Sequence, residues 1–167
     1  IPPLLEKFRQ SVLASAFRGD LTRKWREQNP TSAEWQSVDL QSICTSIADG
    51  DHQAPPQSDS GIPFITISAM NSGTIYLDRA TRSVPQSYYD SLKTERKPRH
   101  GDVLYSVTGS IGIPAMVESD TPFVFQRHIA ILRPNPARVR ARFLCHRLGG
   151  DDIRQQAQNI ATGTAQV

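Results

Sequence analysis

The chain has 167 residues, a net charge of +3 and a hydrophobic content of 38%. This length suits one domain with a core and is too short for two large domains. No apolar run approaches the roughly 18 residues of a membrane helix. With two cysteines, Cys44 and Cys145, a disulfide scaffold is excluded, and we expect reduced, buried thiols in a cytoplasmic protein. The first residue is Ile1, so we expect a piece of a longer protein.

Basic and acidic residues are separated along the chain. There is no lysine or arginine between Arg26 and Arg79, and the basic residues fall in three blocks at 7–26, 79–99 and 127–147. This separation predicts one positively charged face, which favours a polyanionic partner such as nucleic acid. Charge alone leaves open the alternative of a solvated basic surface that binds nothing.

The first segment has the period of an amphipathic helix of about four turns. Gly19 follows it and suits a C-terminal cap. The wide apolar face needs something to pack against, either the rest of the domain or another helix. The residues predicted to form this packing face recur at spacings of three and four, and they are Leu5, Phe8, Val12 and Ala16.

After a polar stretch with an Asn29-Pro30 breaker, the pattern changes to short segments of strand character. We therefore predict a boundary near residue 28, with a helical arm at 1–27 and a domain at 28–167. Predicted strands lie at 62–67, 73–77, 102–107, 123–125 and 128–132, and the stretch 35–47 fits either a strand or a short helix. One or two helices follow residue 137. The fold class is α+β, a mixed small-sheet domain preceded by an α-helical arm.

Asp49-Gly50-Asp51-His52 is the run that most resembles a chemical site. Two carboxylates and an imidazole can bind a metal, but they need further converging ligands, and the other histidines lie in basic blocks. Asp-Gly is also a turn signal, and two prolines follow at 55 and 56. We favour a turn that shapes a loop, from which His52 and Gln53 reach DNA bases.

Two further stretches suit contact with nucleic acid. The run TGSIG at 108–112 is rich in small residues and hydroxyls, which permit close approach to phosphates, although a tight hairpin without a ligand explains it equally. Arginine and glutamine suit bidentate reading of guanine and adenine, and lysine suits phosphates. The predicted DNA contacts outside the loop at 52–53 are Arg79, Arg82, Lys93, Arg96, Lys97, Arg99, Thr108, Ser110, Gln126, Arg127 and His128.

No pairing of a nucleophile with a base is convincing. Ser106 and Ser110 lack a G-x-S-x-G elbow, and neither cysteine has an activating neighbour in sequence. A glycine-rich loop for S-adenosylmethionine is also absent. The sequence therefore predicts a chain that performs no catalysis and carries no cofactor or metal.

In serial order, several stretches resemble one family over nearly the whole chain. They are FRQSVLASAFRGDLT followed by WR, then EWQSVDL, DGDHQAP, GDVLYSVTGSIG, QRHIAIL and GTAQ. The family is the DNA specificity subunit (HsdS-type) of type I restriction–modification systems. The resemblance implies one target-recognition domain with the end of a conserved spacer helix before it. It also implies that the domain reads one half of a split double-stranded DNA target.

The same resemblance implies partners. Methyltransferase subunits that bind S-adenosylmethionine and restriction subunits that use ATP and Mg²⁺ would assemble on the specificity subunit, which is not itself catalytic. Two alternatives remain open on the sequence. One is a metal-dependent hydrolase centred on Asp49, Asp51 and His52, and the other is a structural adaptor that contacts no DNA.

Overall fold

The computed structural model describes residues 3–29, 36–51, 54–71 and 73–163. Four short 3-10 helices lie among the regular elements, at Asp20–Thr22, Ile67–Ala69, Leu77–Arg79 and Thr94–Arg96. In chain order the regular elements are α1 (Pro3–Phe17), α2 (Arg23–Gln28), α3 (Leu40–Ile43), β1 (Cys44–Asp49), β2 (Ile62–Ile65), β3 (Met70–Asn71), β4 (Thr74–Ile75), β5 (Arg82–Val84), α4 (Gln86–Ser91), β6 (Val103–Ser106), β7 (Pro114–Met116), β8 (Val124–Phe125), β9 (Ile129–Pro134), α5 (Ala141–Leu148) and α6 (Asp151–Gly163).

Among the described residues, the strands form two main sheets and a small ribbon. The larger sheet is antiparallel, with the order β1-β9-β6-β7, and the smaller has the order β5-β2-β8. In the smaller sheet β2 pairs antiparallel with β5 and parallel with β8. Strands β3 and β4 form a short antiparallel ribbon of their own. The mixture of helices and small mixed sheets confirms the predicted α+β class.

Alternation along β6 sends apolar side chains to both faces of the larger sheet, because successive residues of a strand point to opposite sides. Leu104 joins a core cluster with Ile65 and Phe123, which also line the smaller sheet. Its neighbours Val103 and Tyr105 join a second cluster, which α5 and α6 cover on the opposite face. The sheet is thus buried on both sides at β6.

The helix α1 ends at Phe17, and Gly19 follows in the left-handed conformation with φ 76°, as the predicted cap requires. The helix contacts the domain through other residues than the predicted apolar face. The Gln10 side chain donates to the carbonyl of Gly149 at 3.2 Å, and the ring of Phe17 meets Phe143 edge-on at 5.5 Å. Within the described residues, no helix is both long and apolar enough to cross a membrane.

Most of the predicted packing face of α1 remains open. Leu5 and Phe8 are 54% and 65% exposed, Val12 is also exposed, and Ala16 is half-buried. In the part of the chain that the structure describes, no helix covers this face. Of the two alternatives left open by the sequence, packing against the rest of the domain is therefore not seen for most of this face among the described residues.

Candidate nucleic-acid interface

Several loops meet at one end of the two sheets, because the strand ends lie side by side. Asp49 at the end of β1 pairs with Ala130, and Ser106 at the end of β6 pairs with Ile129. The backbone N–H of Gln126, just after β8, donates to the carbonyl of Ile65 at 3.1 Å. The segments at 49–51, 66–68, 107–112 and 126–128 therefore share one edge of the fold.

The segment at 49–51 lies directly against Gln126 and Arg127. The N–H of Gly50 donates to the carbonyl of Ile129 at 3.2 Å, and Asp51 forms a parallel bridge with Gln126. A Cβ on Gly50 would lie 2.6 Å from the carbonyl carbon and oxygen of Gln126. The predicted turn at Asp49-Gly50 is wrong, since these residues continue the pairing of β1, and the glycine is needed for close approach of two backbones.

The stretch TGSIG forms a hairpin tip between β6 and β7. The Ser106 hydroxyl donates to the Ser110 carbonyl at 2.6 Å and accepts the N–H of Ile113 at 2.8 Å. Gly109 adopts φ 75° at the tip, a conformation that favours glycine. Thr108 and Ser110 are exposed there, in the position that a contact with a ligand requires.

The hairpin tip and the loop at 126–128 are neighbours. The N–H of Val107 donates to the carbonyl of His128 at 2.9 Å. Arg127 is exposed between the half-buried side chains of Gln126 and His128. The structure thus brings together five of the predicted DNA contacts, which are Thr108, Ser110, Gln126, Arg127 and His128.

Arg96 is held by the two carboxylates of the segment at 49–51. Its guanidinium lies 3.4 Å from Asp49 and 3.5 Å from Asp51. The Tyr88 hydroxyl donates to the same Asp51 carboxylate at 3.1 Å. These carboxylates therefore contact a guanidinium from a distant part of the chain. The predicted base contacts His52 and Gln53 lie outside the described residues.

The environment of Tyr88 predicts an alkaline pH dependence. Burial, followed by the charge and hydrogen bond of Asp51, raises the pKa of Tyr88 from 10.0 to about 12. Because the pKa is higher in the folded state, the contribution to stability is complete below pH 10 and is lost as the pH rises towards 12. We expect the free energy of unfolding of the wild type to fall more steeply over this range than that of Tyr88→Phe, measured by denaturant titration. Parallel pH curves would contradict this assignment.

Three other predicted contacts stack on aromatic rings. The guanidinium of Arg79 lies 4.2 Å from the ring centre of Tyr76, and that of Arg82 lies 4.5 Å from Phe64. The ammonium of Lys97 lies 5.1 Å from the Tyr89 ring and donates to the Asp90 carbonyl at 2.9 Å. Stacking of this kind holds a cation in one orientation.

Lys93 and Arg99 are exposed but are not brought to the loops at 107–112 and 126–128. Lys93 directly precedes the 3-10 helix Thr94–Arg96. The N–H of Arg99 donates to the Asp102 carboxylate at 3.0 Å, just before β6 begins. Arg99 is therefore at the opposite end of β6 from Thr108. Within the described residues, neither side chain forms a hydrogen bond or an ion pair with the loops, so their role as DNA contacts stays a prediction.

The separation of charges along the sequence is not kept in space. Acidic Asp49 and Asp51 pair with Arg96 from the second basic block. From the third block, Arg133 pairs with Asp102 at 2.9 Å and Arg147 pairs with Asp152 at 2.6 Å. Several arginines of the predicted positive face thus form ion pairs. The evidence for a DNA-binding surface therefore comes from the loops at 107–112 and 126–128.

Sequence reasoning missed two hydroxyl residues at the same end of the sheets. Thr66 and Ser68 follow β2, and their hydroxyls are hydrogen-bonded to each other at 2.8 Å. The apolar run at 62–65 was the available signal. Polar residues that directly follow a buried strand lie at the end of that strand. Ser106 was considered only as a nucleophile, whereas it closes the hairpin.

The described residues give no support to a metal or a nucleophile. Across residues 3–29, 36–51, 54–71 and 73–163, no three side chains of His, Cys, Asp or Glu come together in a way that could hold a metal ion. Burial raises the pKa of the Cys145 thiol to about 11 and also raises that of Cys44. These thiols are free, and the thiolate that a nucleophile needs is disfavoured.

Comparisons with known proteins identify similar chains. No family model matches. The EcoKI type I restriction specificity subunit of Escherichia coli K12 is 36% identical over 75 residues, which are 45% of this chain and 16% of that subunit. The EcoBI specificity subunit of Escherichia coli is 26% identical over 151 residues, which are 80% of this chain and 31% of that subunit. The chain therefore spans less than a third of the length of either relative.

Two solved structures share the fold. One, from work on complex assembly and conformational transition of the type I R-M system, has a TM-score of 0.54 and 20% identity, covering 90% of this chain and 37% of its own. The HsdS subunit from Thermoanaerobacter tengcongensis has a TM-score of 0.50 and 21% identity, covering 89% of this chain and 41% of its own. At these identities the likeness shows the fold alone. The resemblance predicted from the motifs is confirmed, since this chain is similar in sequence and in fold to part of a type I restriction specificity subunit.

Proposed function

We propose that the chain is a sequence-specific DNA-binding module of a type I restriction–modification complex and reads one half of a two-part target. The observation that carries the proposal is the pair of hydrogen-bonded loops at 107–112 and 126–128. They present an arginine and two hydroxyl residues from one edge of a rigid framework. The relatives at this level of sequence similarity are named as specificity subunits, which supports the same function.

We assign base contacts and phosphate contacts to different loop residues according to the chemistry of their side chains. Arg127 and Gln126 suit bidentate contacts with base edges in the major groove. Hydroxyls of Thr108 and Ser110 suit phosphate oxygens, which position the protein without reading sequence. His52 and Gln53 are retained as further base contacts. Cationic side chains on the smaller sheet and the segment that follows it would serve the phosphates, and these are Arg79, Arg82, Lys93, Lys97 and Arg99.

The proposal assigns catalysis to partner subunits. Methyltransferase subunits would supply S-adenosylmethionine, and the restriction subunit would use ATP and Mg²⁺, so this chain would need no cofactor of its own. The α1 arm, proposed at 1–27 as the end of a spacer helix, would dock another helix against Leu5, Phe8 and Val12. Exposure of these side chains supports that role.

The experiment uses the complete specificity subunit assembled with its methyltransferase subunits and a random-sequence duplex library. Selection should yield a short preferred half-site, bound less tightly as salt rises. Arg127→Ala should weaken binding to it by about five- to a hundredfold, because a lost base contact costs about 1–3 kcal/mol. The readout is fluorescence anisotropy at one fixed salt concentration.

The matched control is Arg142→Ala. Arg142 is 74% exposed on α5 and pairs with Glu118 at 3.4 Å, at a distance from the two loops in sequence and on a different element. We expect its affinity to stay within about twofold of the wild type, since exposed ion pairs contribute little. Equal losses for the two variants, or no sequence preference in the wild-type complex, would refute the proposal.

A further inference from the structure

Three segments of the chain meet at the carboxylates of Asp49 and Asp51. Arg96, from the 3-10 helix Thr94–Arg96, lies within 3.5 Å of both carboxylates. Tyr88, from α4, donates to Asp51 at 3.1 Å. We call these four side chains, Asp49, Asp51, Tyr88 and Arg96, the polar clamp. It ties the end of β1 to the segment at 86–96, more than 30 residues further along the chain.

The polar clamp acts on the same strip of backbone that supports the loop at 126–128. Asp51 pairs through its backbone with Gln126, while its side chain is held by Arg96 and Tyr88. Gly50 lies beside the Gln126 carbonyl, where there is no room for a Cβ. A movement of Asp51 would therefore move the surface on which Gln126 and Arg127 rest.

We propose that Arg96 is a positioning residue, which fixes the loop at 126–128 by holding Asp49 and Asp51, and that it does not contact DNA phosphate. Its side chain is 27% exposed and faces two carboxylates, whose negative charges disfavour a phosphate beside them. This reassigns one of the predicted DNA contacts. The inference rests on the proposed function. Within that function, Arg96 and its partners would determine sequence specificity without contacting the bases themselves.

The first test needs no DNA and is a double-mutant cycle on stability. We compare Arg96→Gln, Asp51→Asn and the double variant by their denaturant midpoints. Residues in contact are non-additive. The midpoint of the double variant should therefore fall by clearly less than the sum of the two single shifts, even though Arg96 also pairs with Asp49 and Asp51 also accepts from Tyr88. The control cycle uses Arg142→Gln and Glu118→Gln, an exposed pair at 3.4 Å, for which shifts should add. Additive shifts for Arg96 and Asp51 would overturn the polar clamp.

The second test measures DNA binding by the assembled complex, using the selected half-site and a duplex with one base changed. A phosphate contact that is lost reduces the slope of log affinity against log salt by about 1 and weakens all sequences alike. For a positioning residue we expect Arg96→Gln to leave that slope unchanged and to lower the preference for the selected site by about tenfold. A reduced slope with unchanged preference would overturn the inference.

The two tests separate failure of the inference from failure of the proposed function. If the wild-type complex shows no sequence preference, the proposed function fails, while the stability cycle still decides whether the polar clamp exists. If the wild type has a preferred half-site and Arg96→Gln retains it fully, the inference fails and the proposed function stands. Tyr88→Phe gives an independent check, since it should lower the same preference without changing any charge.

Discussion

Arg133→Ala is expected to lower the free energy of unfolding by about 3–5 kcal/mol, because it leaves a buried carboxylate without its counter-ion. Asp102 is 2% exposed, and both of its oxygens accept hydrogen bonds from Arg133, at 3.0 and 2.9 Å. The same guanidinium donates to the carbonyl of Lys97 at 3.0 Å. Arg133 thus joins β9 to the segment that precedes β6. Chemical denaturation monitored by circular dichroism measures the loss.

Two comparisons sharpen this prediction. Arg138→Ala removes an exposed arginine from the turn after β9, and we expect a change within about 0.5 kcal/mol. A double variant, Asp102→Leu with Arg133→Met, removes both charges and should recover most of the loss, as apolar replacements of buried ion pairs often do. A loss below about 1 kcal/mol in Arg133→Ala, small enough for a surface pair, would show that the buried pair is not a structural support.

Gly50→Ala is expected to damage both stability and DNA recognition. The new Cβ would lie 2.6 Å from backbone atoms of Gln126 and 2.8 Å from the nitrogen of Arg127. Backbone atoms of a hydrogen-bonded bridge cannot rotate away as a side chain can, so one strand must shift. Overpacking of this kind costs about 1–3 kcal/mol. Because the displaced strand carries the loop at 126–128, we also expect preference for the selected half-site to fall at least as far as in Arg127→Ala.

Gly149→Ala is the matched control for this substitution. A Cβ there would meet a ring carbon of Pro114 at 3.3 Å and the carbonyl of His146 at 3.4 Å, contacts that a small movement relieves. We expect a smaller loss of stability and an unchanged DNA preference. If Gly50→Ala folds with wild-type stability and binds the selected half-site with full preference, the close approach of the two backbones has no role in recognition.

Local patterns were sufficient to predict much of the framework. The runs at 62–67 and 102–107 contain β2 and β6, and the run at 128–132 covers the first four residues of β9, because apolar runs bounded by turn residues are typical of buried strands. The stretch at 35–47, which fitted a strand or a short helix, includes α3 and the start of β1 in turn. These features depend on neighbours in the chain, and the sequence shows them directly.

Contacts between distant segments were not predictable from the same patterns. Asp51 and Arg96 are 45 residues apart, and Asp102 and Arg133 are 31 apart. Nothing near either residue in the sequence indicates its partner. The charge blocks did not show which arginines form ion pairs for the same reason, since pairing depends on which strands become neighbours. The role of Gly50 was also hidden, because Asp-Gly is a turn signal and the close approach involves Gln126.

The closure of the hairpin by Ser106 has a consequence for the exchange of recognition loops. The bonds at its base use the Ser106 hydroxyl, the Ser110 carbonyl and backbone groups of Gly112 and Ile113. None of the hydrogen bonds that close the base uses the side chain of Thr108 or Ser110. New residues can therefore be grafted at these two positions, provided that Gly109 keeps its left-handed conformation. We therefore expect substitutions at these two positions to change the groups that face a ligand while β6 and β7 stay in place.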